Sequence, residues 1–502
     1  MKKSIFSFQP FGYEGSIISV ECDLRRGIPA VDIVGIADSS VKECRERILS
    51  VFKASEIDFP SERVLLALSP CDLKKDGSGH DLPIALSIYL ESKDKGEETE
   101  SENILSMGEL ELSGRIRNVR GIYAALSTAT SYGIKKFILP DCKETRDYAK
   151  EFNGIKVIFA ESFRDAIEKL ENDSFELISE EKDVSNGIEF INDKEMVESF
   201  ENRHYSKTLI EKMTVFMSGN FNALFIGAPG CGKTIFSSSL PLFKPSLTVE
   251  EKCSTERIWN LAGLGSIGKF PPFRMPHQTA SIEGICGGGP NCRPGEISLS
   301  HNGILFLDEA SEFRTSVLQM LRVPLESKRI TLSRAGRSTV YPANFQLIMA
   351  TNPCPCGNYG SKDRICLCSA KSVQMFWNKF SAPLLDRVEF LIDFVKDNSE
   401  KSTYTVEDIQ ETIRKAVILQ RERQGKLNHD LTPYELNEIL EKKNLSLSLR
   451  NKYFFEDYSP RRNDILLKVA LTLSDIEGSS EITEKHLEKA RDFVKPTVYG
   501  QF

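Results

Sequence analysis

Short apolar runs alternate with longer amphipathic ones along most of the chain. Residues 17–21 (IISVE) and 31–35 (VDIVG) carry the β-branched pattern of strands. Residues 39–55 have helical spacing, 64–68 (VLLAL) form an apolar run expected of a buried strand, and 82–90 begin a second helix. Residues 91–102 (ESKDKGEETESE) are almost wholly charged or polar and predict a solvated loop. Structure resumes over 105–140 as strand, Arg-bearing turn, helix and a strand reading KFILP. Residues 171–200 hold ten Asp and Glu against two Lys, which leaves little apolar surface to bury and predicts a linker. Residues 205–395 then alternate strands and helices, the pattern of an α/β domain with a mostly parallel sheet. Residues 400–495 keep helical periodicity with few Gly or Pro. The expected division is an N-terminal α+β domain over 1–170, an acidic linker over 171–200, an α/β core over 201–398 and a helical lid over 399–502.

Composition narrows the class. At 502 residues, 40% hydrophobic and 27% charged, the chain has enough apolar content for sizeable cores. A net charge of −7 does not announce a nucleic-acid binder, although local basic loops act independently of the total. No run of 18 or more apolar residues occurs, so no membrane span is expected. The first sixteen residues lack an apolar run of signal-peptide length. Of twelve cysteines, Cys354, Cys356, Cys366 and Cys368 fall within fifteen residues and the rest are scattered without framework spacing. A cytoplasmic, reduced protein is the expectation.

The chemistry concentrates in three segments. Residues 222–234 (NALFIGAPGCGKT) read as an apolar strand, a glycine-rich loop and a helix start, and fit G-x-x-x-x-G-K-[ST]. Gly227, Gly230 and Gly232 let backbone N–H groups turn towards phosphates, with Ala228, Pro229 and Cys231 completing the loop. Lys233 can reach the β- and γ-phosphates, and the Thr234 hydroxyl can ligate Mg²⁺. Residues 303–309 (GILFLDE) form a buried strand ending in two carboxylates: Asp308 suits the Mg²⁺ shell and Glu309 suits alignment of the attacking water. A third apolar strand, 345–350 (FQLIMA), ends at Asn352, a polar group able to contact the γ-phosphate or its water. Together these make a nucleotide hydrolase of the AAA+ type, with ATP and Mg²⁺ as cofactors.

Further motifs carry a narrower resemblance. Residues 271–281 (PPFRMPHQTAS), 287–309 (GGGPNCRPGEISLSHNGILFLDE), 341–357 (YPANFQLIMATNPCPCG) and 381–390 (SAPLLDRVEF) resemble the magnesium-chelatase-like ATPases of the ComM/YifB family. The likeness extends to 21–48 and 69–86 near the start and to 459–478 (SPRRNDILLKVALTLSDIEG) near the end. It implies a ring, hexameric in this family, that moves along single-stranded or branched DNA as a helicase and promotes branch migration in recombination or natural transformation. It also implies a helix insertion around 275–300 and a hairpin at 329–345, both facing the ring's channel. Arg334 and Arg337 sit at the hairpin tip and suit phosphate contacts, though the residues without the resemblance favour an exposed hairpin with solubilising charge. The resemblance makes Arg387 an arginine finger acting on a neighbouring subunit and Arg461 the second sensor. Pro460 replaces the usual glycine there, and the adjacent Arg462 competes for the role.

Residues 74–86 and 107–126 resemble the Lon-protease fold. Ser78 falls near the nucleophile position, but the base position holds Tyr123 instead of lysine. A phenol with an ordinary pKa near ~10 is a poor base at neutral pH, so no peptidase activity is expected. His80 and Asp81 adjoin Ser78, yet adjacency in sequence is not triad geometry. The run C-P-C-x9-C-x-C (354–368) offers four thiols, as candidate structural zinc ligands or as free cysteines, with a tighter C-x-C spacing than common zinc ribbons. Two other functions stay open: a chelatase motor driving metal insertion, and a remodeller of protein complexes without DNA activity.

Overall fold

The computed structural model describes residues 3–28, 30–34, 39–71, 73, 75, 77–93, 102–179, 187–334, 337–360, 364–394, 403–456 and 459–495. The N-terminal body is built on an eight-stranded sheet. Its spatial order is Glu176–Leu177, Lys156–Ala160, Lys136–Pro140, Glu102–Ser106, Lys3–Gln9, Ser16–Arg25, Arg63–Ser69 and Val31–Val34. Arg63–Ser69 shows how sequence sets its faces. Val64, Leu66 and Leu68 are fully buried while the residues between them are only partly covered, because successive side chains point to opposite sides of a strand. The helices Ser39–Ala54 and Asp81–Lys93 cover this face.

The central body holds a five-stranded parallel sheet in the order Phe273–Arg274, Ile304–Leu307, Gln346–Thr351, Ala223–Ile226 and Phe390–Asp393. Three of its strands are buried at every position, as expected of a parallel sheet sandwiched between helices. The C-terminal helices include Val406–Gln424, Pro433–Lys442, Pro460–Ile476 and Glu484–Val494. Their boundaries follow from local chemistry. Thr405 with Asp408 and Thr432 with Glu435 form capping boxes, and Gly425 ends the first helix in the left-handed region at φ 70°.

The acidic tract at 171–200 departs from a uniform linker. Glu176–Leu177 pairs antiparallel with the strand Lys156–Ala160. Further on, Phe190 and Phe200 are buried in the core shared by the central sheet and the C-terminal helices. The helix Lys194–Glu201 is capped by Asp193, and the Glu201 carboxylate accepts from Val406 N at 2.9 Å. A few well-spaced aromatics outweigh the acidic composition; residues 180–186 lie outside the described set.

One helix makes several of the contacts between the bodies. Val249–Ala262 starts at a Thr248–Glu251 capping box. Its Arg257 guanidinium donates to Tyr13 O (2.9 Å), Glu14 O (3.0 Å), Ser127 Oγ (3.1 Å) and Thr128 Oγ1 (3.0 Å). Asn260 Oδ1 accepts from Tyr123 N at 3.0 Å, and Lys252 pairs with Glu151 at 2.7 Å.

Candidate nucleotide site

Strand order places the chemistry. The strand Gln346–Thr351, leading to Asn352, lies between Ala223–Ile226, leading to the glycine-rich loop, and Ile304–Leu307, leading to Asp308 and Glu309. All three run parallel, so the three functional segments leave the same edge of the sheet.

The loop conformation requires its glycines. Gly230 (φ 76°) and Gly232 (φ 101°) occupy the left-handed region, and a β-carbon on Gly227 would lie 2.6 Å from Phe394 O. Lys233 is buried, and its Nζ donates to Gly227 O (2.7 Å), Ala228 O (3.1 Å) and Asn352 Oδ1 (3.4 Å). Thr234 Oγ1 donates to Asp308 Oδ2 at 2.8 Å, so a hydroxyl and a carboxylate meet as a pair of oxygen ligands. Asp308 Oδ1 accepts from Glu309 N at 3.0 Å. Glu309 is exposed at φ 48°, a conformation a non-glycine residue adopts at a cost and one often found where a side chain must be aimed. These oxygens and the ammonium group fit a Mg²⁺–triphosphate.

Arg387 lies at the other edge. Register pairs Ala223 with Phe390 and Ile226 with Asp393, so residue 387 precedes the sheet while the phosphate loop follows it. Four residues of strand, about 10 Å or more, separate the two edges. Buried Asn222 marks that far edge: its amide donates to Arg387 O (2.9 Å), its N–H to Glu389 Oε2 (2.7 Å), and its Oδ1 accepts from Leu347 N (2.7 Å). The Arg387 guanidinium donates to Pro383 O at 2.6 Å and pairs with Glu326. Arg461, at the start of the helix Pro460–Ile476, approaches the same Glu326 at 3.8 Å. The hydrogen bond from Arg387 holds the Glu326 carboxyl below its ordinary pKa. Arg462 is instead buried and donates to Val388 O at 3.1 Å, so Arg461 is the arginine left at the surface.

Three family profiles match the chain: "Subunit ChlI of Mg-chelatase" over 20–143, "Magnesium chelatase, subunit ChlI" over 204–402, and "Magnesium chelatase, subunit ChlI C-terminal" over 403–493. Competence protein ComM of Haemophilus influenzae is 31% identical over 97% of this chain and 96% of its own length. The chain belongs to the ComM/YifB family of magnesium-chelatase-like AAA+ ATPases. YifB of Escherichia coli is 33% identical over 95% of this chain and 94% of its own length, and YifB of Salmonella typhimurium 31% over 95% and 94%.

Elsewhere this ComM/YifB-family chain separates residues that its sequence sets side by side. His80 is buried between Ser7 Oγ (2.7 Å) and Gln9 Oε1 (2.9 Å). Asp81 forms a two-pronged pair with Arg47 at 2.9 and 3.0 Å. Tyr123 is buried against Glu151, its hydroxyl donating at 2.7 Å, and burial pushes its phenol pKa well up. None of these hydrogen bonds joins Ser78 to a base. Buried Lys75, which drew no attention in the sequence, donates to Pro70 O.

Arg329–Arg334 and Arg337–Pro342 pair antiparallel, with Arg334 opposite Arg337 in register; tip residues 335 and 336 lie outside the described set. The hairpin packs on the 275–300 segment, where Tyr341 Oη donates to Cys292 O at 2.9 Å. It also meets the N-terminal body, since Tyr13 N donates to Thr339 Oγ1 at 2.9 Å. The four clustered cysteines converge, with Sγ···Sγ distances of 3.3 Å (Cys354–Cys356), 3.7 Å (Cys354–Cys366) and 3.5 Å (Cys356–Cys366). A backbone hydrogen bond from Asn358, with help from Cys354, pulls the Cys356 thiol down to about 6. Glu326 went unnoticed in the sequence, because it belongs to no residue pattern. Among the described residues no helix is long and apolar enough to cross a membrane.

Proposed function

We propose that this chain is the subunit of an ATP-driven, hexameric DNA motor that moves along single-stranded or branched DNA and promotes branch migration in recombination or natural transformation. The observation that carries the ring is the position of Arg387 and Arg461 at the sheet edge opposite the phosphate loop. Arginines at that edge serve a γ-phosphate only when it is bound by a neighbouring copy. DNA as the track is supported by the hairpin at 329–345, and by likeness to a protein named for competence.

Within one subunit, Lys233 and the loop amides hold the β- and γ-phosphates, and Thr234 and Asp308, already paired, would hold Mg²⁺. Bound there, Mg²⁺ would supply positive charge that offsets that of the phosphates. The Glu309 carboxylate orients the attacking water and draws on its proton, with Asn352 fixing that water against the γ-phosphate. Arg387 of the adjacent subunit stabilises charge on the transferring group, with Arg461 beside it. Arg334 and Arg337 contact DNA phosphates.

A branched-DNA strand-displacement assay with wild type and Glu309→Gln tests the reading. ATP-dependent displacement by the wild type and none by the variant is expected. Wild type that hydrolyses ATP at the same rate with and without DNA, and displaces no strand, would instead mark a chelatase-type motor or a protein remodeller.

A further inference from the structure

We infer that Cys354, Cys356, Cys366 and Cys368 form a tetrathiolate zinc site that braces the segment leaving Asn352 against the phosphate loop. All four sulfurs lie within 4.8 Å of one another. Tetrahedral zinc with Zn–S bonds of about 2.3 Å sets its sulfurs roughly 3.8 Å apart, close to the separations of 3.3 to 3.7 Å among Cys354, Cys356 and Cys366. A disulfide would need about 2.05 Å.

The surrounding side chains make the convergence meaningful. Ile365 and Leu367 are 83% and 90% exposed, while Cys366 and Cys368 between and beyond them turn towards the other two thiols. Ile365 and Leu367 therefore do not hold this half of the loop, and what turns inward there is the pair of thiols, partly buried against the core beside Cys354 and Cys356. Tyr359 N donates to Cys354 Sγ at 3.3 Å, the kind of hydrogen bond that stabilises a ligating thiolate. Four soft ligands with no open position suit structural zinc rather than catalytic metal. Each thiol that ionises on binding gives up its proton.

The same loop touches the ATP site. Gly357, in the left-handed region at φ 76°, packs so closely that a β-carbon there would lie 2.5 Å from Pro229 Cδ. Trp377 Nε1 donates to Pro353 O at 3.1 Å, anchoring the other side of the same turn. Asn352, two residues before the first cysteine, reaches Lys233. A metal between the four thiols thus fixes the exit of the Asn352 strand while its turn presses on the phosphate loop. This bracing role rests on the ATP-site reading; the metal itself does not.

Full-length protein purified without chelators should carry one zinc per chain by elemental mass spectrometry. Exchange with Co²⁺ should give the visible d–d bands and sulfur-to-metal charge transfer of a tetrahedral tetrathiolate. The double substitution Cys366→Ser, Cys368→Ser retains the buried Cys354 and should lose both signals. It should also bind a fluorescent ATP analogue several-fold more weakly, with the secondary structure of the full chain, read by far-ultraviolet circular dichroism, unchanged. Wild type without stoichiometric zinc, a disulfide in the intact mass, or iron–sulfur absorbance would overturn the metal assignment. Metal loss with unchanged nucleotide affinity would overturn the bracing role alone. The metal readouts involve no ATP, so their failure is distinct from a failure of the ATPase reading.

Discussion

In the proposed function, Lys233 and Glu309 divide the ATP site into gripping and cutting. Lys233 is buried among Gly227 O, Ala228 O and Asn352 Oδ1, so its ammonium is already positioned beside the loop that receives phosphates. Lys233→Ala should therefore abolish ATP binding, read by equilibrium fluorescence with a labelled analogue. Glu309 is exposed and makes no grip of its own. Glu309→Gln should keep ATP affinity near wild type and lower phosphate release by about 100-fold or more, the scale of a lost general base. Equal loss of affinity in both variants would contradict this division. The sequence named both residues, Lys233 because phosphate binding needs glycines and a lysine at fixed spacing and Glu309 because it ends an apolar strand. Glu326 went unnamed. Its importance comes from Arg387 and Arg461, which are brought to it by folding and not by any local motif.

At the scale of elements, the helix Val249–Ala262 makes several of the contacts between the bodies. Arg257, Asn260 and Lys252 reach partners more than a hundred residues away in the N-terminal body, which explains why local pattern could not foresee the docking. The same helix buries Glu256, one oxygen of which accepts from Ile267 N and Ser266 Oγ while the other has no partner among the described residues. Burial pushes its pKa up to about 7. The folded state then binds a proton that the unfolded state releases near pH 4.5, so this group's contribution falls as pH rises from there towards 7. Glu256→Gln should raise the melting temperature at pH 8 and change it little at pH 4, as read by calorimetry. Each kcal/mol regained corresponds to about 2–4 °C for a domain of ordinary size. A variant equally or less stable than wild type at pH 8 would exclude this account. Alternation made strands such as Arg63–Ser69 readable in advance, whereas the two-residue strand Phe273–Arg274 is too short to carry a period. The tract at 171–200 misled because overall acidity hid Phe190 and Phe200.

At the scale of the molecule, the parallel sheet sets Arg387 and the phosphate loop at opposite edges, and the proposed function makes association part of the chemistry. The α/β class and helical C-terminus were readable from alternation and periodicity, but the distance between edges appears only once strand order and register are known. Arg387→Ala alone should lower turnover by about 10³-fold or more, the scale of a lost arginine finger. The Arg387→Ala subunit still has Glu309, and the Glu309→Gln subunit still has Arg387. The most direct measurement is ATP turnover by the two inactive variants mixed before assembly. Restored phosphate release, highest near equal proportions, is the predicted result, since some junctions then unite an intact Glu309 with an intact Arg387. A mixture no more active than either variant, with both folded and assembled, would contradict an ATP site shared between neighbouring copies.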